Sequence, residues 1–250
     1  MLVLTDLGHD PDDAIALSYL IEHNKIPDVI ILSPGFPKQV EIATGICDIY
    51  DIAPTIITCK DGLDDGKYNP GKHKVFTGRS HNTFSLTHSK LNAFIESEAL
   101  IIGPPTNLGN KLKCGTMVFQ GGYSPNSIDP LKKFDKIEAV QSFNPCGAKN
   151  DFNLLLESRE IVNKFYVGKN VCHGYTKSDL TQEWVPESKQ MFEFLDKLSD
   201  DKAMHDVLAA KCLLDPLKYQ WERAKPVWFG NKLSTIPTEE LIFTLIGEQR

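Results

Sequence analysis

The sequence predicts an α/β fold: an open, mainly parallel, Rossmann-like sheet with helices on both faces. Two observations predict it. Short apolar runs alternate with amphipathic stretches along the chain, as expected for strands linked by crossover helices. The 250 residues are 41% hydrophobic, enough for one large core or at most two small ones, with no internal repeat and no low-complexity segment. A single domain over residues 1–250 is the expectation.

Leu2-Val3-Leu4 reads as a strand ending at Thr5-Asp6. Asp12 to His23 reads as a helix, with Ile15, Leu17, Leu20 and Ile21 on one broad face. Val29 to Leu32 is a second strand, Gln39 to Tyr50 a helix and Thr55 to Thr58 a third strand. Asp61 to His88 has few apolar residues and reads as a long loop over a site. Leu91 to Ile95 reads as a helix and Ala99 to Ile102 as a strand. Gly103 to Asn107 then turns into a further helix. Met117 to Phe119 is a strand ending in Gly121-Gly122. Ile137 to Val140, a helix around Glu157 to Lys164 and a strand Phe165 to Val167 continue the alternation. Pro186 to Leu198 and Ala203 to Leu214 read as helices, and Trp221 to Ile246 has no clear pattern.

A formal net charge of −6 argues against a nucleic-acid-binding surface, which is normally basic. The longest apolar runs are too short to cross a membrane. The first apolar run leads at once into a charged motif, so no signal peptide is expected. The six cysteines are scattered, without C-x-x-C or zinc-like spacing, and read as buried thiols of a cytoplasmic protein.

In an open parallel sheet the ligand sits beyond the carboxyl ends of the strands. The segments to inspect are therefore 6–13, 33–36, 103–107, 120–123 and 144–153. Thr5 to Asp13 stands out, with four carboxylates (Asp6, Asp10, Asp12, Asp13) in eight positions directly after a strand. Helix capping explains one or two acids next to Pro11, but not Asp6 at the strand tip as well. Crowded carboxylates raise one another's pKa unless a cation intervenes, and a hard divalent cation with oxygen ligands is the natural compensation. The pair His205-Asp206 reads by itself as a helix cap beside a surface histidine. Gly103-Pro104-Pro105-Thr106-Asn107-Leu108 and Asn150-Asp151-Phe152-Asn153 read by themselves as turns or helix starts. His9, His73 and His81 read as a salt partner and loop histidines, with substrate contact as the alternative. Trp184, Trp221 and Trp228 read as core or interface, with base stacking as the alternative.

In this order, the four segments resemble the inosine–uridine-preferring nucleoside hydrolase family over residues 2 to about 215. The first motif is similar to the family's longer form D-x-D-x-G-x-D-x-D-D. G-P-L-T-N-L appears as Gly103 to Leu108, E-F-N as Asp151-Phe152-Asn153, and H-D-x-x-A as His205 to Ala209. The resemblance implies a nucleoside hydrolase-like α/β sheet, one Ca²⁺, cleavage of ribonucleosides to base and ribose, and a homo-oligomer, either dimer or tetramer. It implies Ca²⁺ ligation by Asp6, Asp13, the Thr106 carbonyl and Asp206. Asp6 is then also the general base toward a water, and Asp12 bonds the ribose hydroxyls. Asn144, Asp151 and Asn153 hold the ribose, and His205 lies near the leaving base. Asp10 has no counterpart in the shorter motif, and a supporting or capping role is expected.

The chain departs from the family pattern at four positions. Leu4 replaces the first aspartate, Phe36 an asparagine, Gln120 a methionine and Asp151 a glutamate. These departures keep two alternatives open: hydrolysis of another ribosyl compound such as nicotinamide riboside, or a nucleoside- or ribose-binding module without turnover. An aspartate-nucleophile phosphatase is disfavoured, because no second aspartate stands two residues after Asp6.

Overall fold

A computed structural model describes residues 1–8, 10–59, 73, 75–76, 83–86, 93–123, 142–172, 174–226 and 242–248. The chain runs through β1 (Leu2–Thr5), α1 (Pro11–Glu22), β2 (Val29–Leu32), α2 (Pro37–Ile49), β3 (Thr55–Cys59), β4 (Thr83–Leu86), β5 (Phe94–Ile101) and β6 (Leu112–Gln120). It continues through α3 (Phe143–Gly147), α4 (Lys149–Glu157), β7 (Ile161–Val167), α5 (Lys169–Cys172), α6 (Lys177–Glu183), α7 (Lys189–Asp196), α8 (His205–Leu214), β8 (Tyr219–Arg223) and β9 (Ile242–Glu248).

Side chains alternate across a strand, so β1 feeds two cores. Val3 packs with Ile30, Leu32, Leu100 and residues of α1, α2, α7 and α8. Leu2 and Leu4 pack on the opposite face with Ile31, Ala99, Ile101, Phe119, Tyr166 and the α4 residues Phe152 and Leu155. Both faces are thus covered, which is why β1 and β2 are almost wholly apolar.

Among the described residues, nine strands form one sheet in the order β4-β3-β2-β1-β5-β6-β7-β9-β8. All neighbours are parallel except β8 and β9. The order reverses between β1 and β5, where Leu4 lies opposite Ile101. Connections leaving these two strands diverge to opposite sides and open a crevice at their carboxyl ends.

Four expectations are corrected. Phe94 and Ile95 belong to β5, not to a helix, because Phe94 pairs with Leu112 and Ile95 with Lys113. Acids on this strand are ion-paired: Glu98 with Lys25 at 2.7 Å, and Glu96 with the N-terminal ammonium at 3.0 Å. After Gly103–Asn107 comes only a short 3₁₀ turn at Gly109–Lys111, because the chain is already returning to β6. The helix expected around Glu157 to Lys164 instead ends at Glu157, and Ile161 starts β7 by pairing with Cys114. Within the expected loop 61–88, Thr83–Leu86 is a strand pairing with β3. Ile137 to Val140 and most of that loop lie outside the described residues, as do His9, His81 and Trp228. The unpatterned C-terminal stretch supplies the β8–β9 pair.

Among the described residues no helix is long and apolar enough to cross a membrane. Five of the six cysteines are buried, Cys146 is half-buried, and none forms a disulfide.

Candidate active site

Asp6 follows β1 directly, at the reversal point, and is buried. Gly103, just past β5, holds it there by close approach. A Cβ on Gly103 would stand 2.6 Å from the Asp6 nitrogen and 2.9 Å from the Thr5 carbonyl carbon, so only glycine lets the two strand ends meet. Thr5 points to the α1 face, where its hydroxyl donates to Asp13 Oδ1 and accepts from the Leu7 amide at 3.1 Å.

Pro11 opens α1, and Asp12 and Asp13 occupy its first turn, where the helix dipole favours negative charge. Asp206 is the second residue of α8, which packs against α1. Its amide donates to Asp12 Oδ2 at 3.3 Å, tying the two helix starts together. Asp12, Asp13 and Asp206 are all buried and offer carboxylate oxygens within 4.8 Å of one another. Asp12 Oδ1 is buried with no hydrogen-bond partner.

Burial first, and the Lys202 ammonium and neighbouring Asp10 after it, act on Asp12, leaving its carboxyl above the usual range. Asp13 is pushed well up by burial and then by Asp6 and Asp12. Asp206 is pushed well up by burial and then by Asp12, Asp13 and Asp6. Such a group favours protons or a cation over bare charge. The donors are all oxygen, they are crowded, and one of them makes no hydrogen bond; a hard cation such as Ca²⁺ fits them.

These acids line one wall of a cleft of about 250 Å³, together with Asp6, Asp10 and His205. Ile102, Gln120, Ser142, Phe143, Asn144 and Lys169 complete it. The structure therefore gathers Asp6, Asp12, Asp13, Asn144, His205 and Asp206 at one site. Thr106 is buried in the turn after β5, where its amide donates to the Pro104 carbonyl at 2.7 Å. Thr106, Asp151 and Asn153 are not among the lining residues. Asp151 instead accepts the Asn107 amide at 3.0 Å and so fixes the 103–107 turn, while Asn153 is exposed on α4. Lys169, Ser142 and Phe143 also line the cleft, and no sequence motif pointed to them. Lys169 lies two residues past β7, so the strand-end rule would have found it.

The departures have structural readings. Leu4 sits in the core opposite α1, between Ile31 and Ile101, with its side chain on the other face of β1 from Thr5. Phe36 precedes α2, and its amide and that of Gly35 donate to Gln39 Oε1 at 2.9 and 2.8 Å. Gln120 accepts from Asn144 Nδ2 at its side-chain oxygen (2.8 Å) and at its carbonyl (3.0 Å). His73 is buried, its ring 5.3 Å from that of Phe194. Trp184 is also buried and donates to Glu22 Oε2 at 2.8 Å, so it serves the α1–α7 side of the core.

No protein-family model matches the chain, and no curated protein matches it in sequence. Solved structures do match. A plant nucleoside hydrolase aligns with 100% of this chain and 95% of its own, at TM-score 0.63 and 15% identity. An inosine–uridine-preferring nucleoside hydrolase from Bacillus anthracis aligns with 99% of this chain and 94% of its own, at TM-score 0.64 and 10% identity. The fold is that of the nucleoside hydrolases. The type III effector protein XopQ, solved in complex with adenosine diphosphate ribose, aligns with 98% of this chain and 87% of its own, at TM-score 0.56 and 11% identity. At these identities the likeness is one of fold. Within this nucleoside hydrolase fold, the acidic wall of the cleft lies at the carboxyl end of β1, the strand beside the order reversal.

Proposed function

We propose that the chain hydrolyses the N-glycosidic bond of ribonucleosides to ribose and free base, with Ca²⁺ as cofactor. The observation that carries this reading is the buried Asp12–Asp13–Asp206 group, whose carboxylate oxygens crowd within 4.8 Å of one another in a cleft at the strand ends, one Asp12 oxygen having no hydrogen bond. Asp6, Asp13, Asp206 and the Thr106 carbonyl hold the ion. When bound, Ca²⁺ supplies a fixed positive charge that orients the ribose diol and makes an attacking water more acidic.

Asp12 accepts hydrogen bonds from the ribose hydroxyls. Asp6 accepts the proton of the water that attacks C1′ as the bond from C1′ to the base nitrogen breaks. Positive charge develops on the sugar in the transition state, and the acidic wall stabilises it. Asn144 holds the sugar and Asp151 acts on it through the turn it fixes, while Asn153, exposed on α4 and outside the cleft lining, is left without a part in this reading. His205 stands on the side of the leaving base and gives a proton to the nitrogen that departs with the bond's electron pair, so that neutral base is released.

A second reading, a ribosyl-binding module without turnover, is favoured by Phe36, whose apolar side chain stands where the resembled family has an asparagine and offers the attacking water no hydrogen bond. Asn144 gives both amide hydrogens to Gln120 and keeps its Oδ1 to accept from a ribose hydroxyl, so sugar binding survives in either reading. The deciding assay is ribose release from inosine, uridine, adenosine, cytidine and nicotinamide riboside, with wild type and Asp6→Ala, each with and without EDTA. Ribose release abolished by both chelation and substitution supports hydrolysis, and the panel identifies the substrate. Calorimetric nucleoside binding without ribose release supports the binding module.

A further inference from the structure

We propose that Lys202 is a resident counter-cation of the acidic site, tethered by Asp10, and that it sets how tightly the site holds its divalent ion. The inference rests on the ion-binding reading above. Asp10 stands at the N-cap position of α1 but makes no capping bond with its side chain. It pairs with Lys202 instead: Lys202 Nζ lies 2.8 Å from Asp10 Oδ1. The same ammonium lies 3.6 Å from Asp12 Oδ1, the buried oxygen that has no hydrogen-bond partner.

Lys202 is not on a loose tether. Its amide donates to the Ser199 carbonyl at 3.0 Å, and its carbonyl accepts the Lys177 amide at 2.8 Å. The next residue, Ala203, bridges to Thr176, and the Met204 amide donates to the Tyr175 carbonyl at 2.9 Å. The backbone is thus fixed on both sides, and the side chain extends from there into the gap between Asp10 and Asp12. Burial works against the ammonium charge, but Asp12, Asp10 and Asp206 outweigh it and hold the group above the usual lysine range.

Two opposing effects follow. The ammonium compensates part of the charge on Asp12, so an incoming divalent cation meets a like charge already in place. Asp10, nearly half exposed, holds that ammonium toward solvent and away from full contact with Asp12. Lys202 therefore weakens ion binding, while Asp10 limits how much it does so. The additional acid of the acidic motif thus holds the internal cation partly off Asp12, the neighbour of the ion-binding acids Asp13 and Asp206.

The test is a calorimetric Ca²⁺ titration of the metal-stripped full chain, comparing wild type with Lys202→Met, Lys202→Arg and Asp10→Asn. Thermal melts in EDTA verify that each variant is folded. Lys202→Met removes a like charge and should bind Ca²⁺ more tightly, by roughly the 10- to 100-fold that loss of a supporting partner typically costs in the opposite direction. Lys202→Arg keeps the charge and should stay near wild type, whereas Asp10→Asn should bind more weakly. A purely structural lysine would make Met and Arg equally harmful. Equal affinities in wild type and Lys202→Met, or weaker binding in Lys202→Met, overturn the role of Lys202 while leaving the ion site standing. Absence of Ca²⁺ binding in wild type and all variants overturns the ion site itself, and this inference with it.

Discussion

Stripping the ion and raising the pH should destabilise this protein, and the sign follows from the buried acids. Asp12, Asp13 and Asp206 have folded-state pKa values above the ordinary aspartate value, chiefly from burial and then from their charged neighbours, with Lys202 partly offsetting the shift at Asp12. A group raised in this way contributes stability that is complete below the unfolded value near ~4 and is lost as pH climbs through its folded value. Over that window the unfolded chain releases protons that the folded, ion-free chain retains. Each retained proton tilts stability by about 1.4 kcal/mol per pH unit. For a chain of this size about 1 kcal/mol moves Tm by roughly 2–4 °C, so one retained proton lowers Tm by roughly 3–6 °C per pH unit. A bound divalent cation takes the place of those protons. At about 100 times its Kd, Ca²⁺ should add about 2.7 kcal/mol, or roughly 5–11 °C. The assay is a set of thermal melts from pH 5 to 8, in EDTA and in saturating Ca²⁺. The EDTA curve should fall with pH and the gap to the Ca²⁺ curve should widen. A flat or rising EDTA curve, with a constant gap, would refute the reasoning.

Two further changes test how the site is held. Gly103→Ala should lower stability by about 1–3 kcal/mol, the cost of overpacking, because its Cβ meets backbone atoms of Asp6 and Thr5 that cannot rotate away; it should also weaken Ca²⁺ binding, and an unchanged Tm and affinity would show that the two strand ends can separate freely. Asp151→Ala removes the acceptor of the Asn107 amide and should cost about 1–3 kcal/mol in urea unfolding. It should also reduce ribose release by disordering the 103–107 turn, and full activity in a destabilised protein would confine Asp151 to a structural role.

How much was legible in the sequence depended on whether local pattern or distant pairing governs each element. β1, β2, β3, α1 and α8 were readable because their apolar runs and caps are local signals. β5 and β7 were misread at their starts. Phe94-Ile95-Glu96 and Ile161-Val162-Asn163 carry mixed polarity at sheet positions that are partly exposed, and only pairing with β6 makes them strands. The β8–β9 pair likewise depends on partners far apart in sequence, so no local run announces it.

For the site, the sequence by itself determined the chemistry on offer: acids clustered after a buried strand and a second acid at a distant helix start. Tertiary structure decided which acids meet. Packing of α1 on α8 brings Asp206 to Asp12 and Asp13 across a gap of nearly two hundred residues. It also decided what each neighbour does. Asp151 supports a turn, Leu4 fills a core, Gln120 takes up the Asn144 amide, and Lys202 reaches Asp10 and Asp12. Residue type fixes what a side chain can donate, accept or bury, and that is written in the sequence. Which partner lies within about 3 Å is set by how helices and strands pack, and a one-dimensional pattern does not contain those distances.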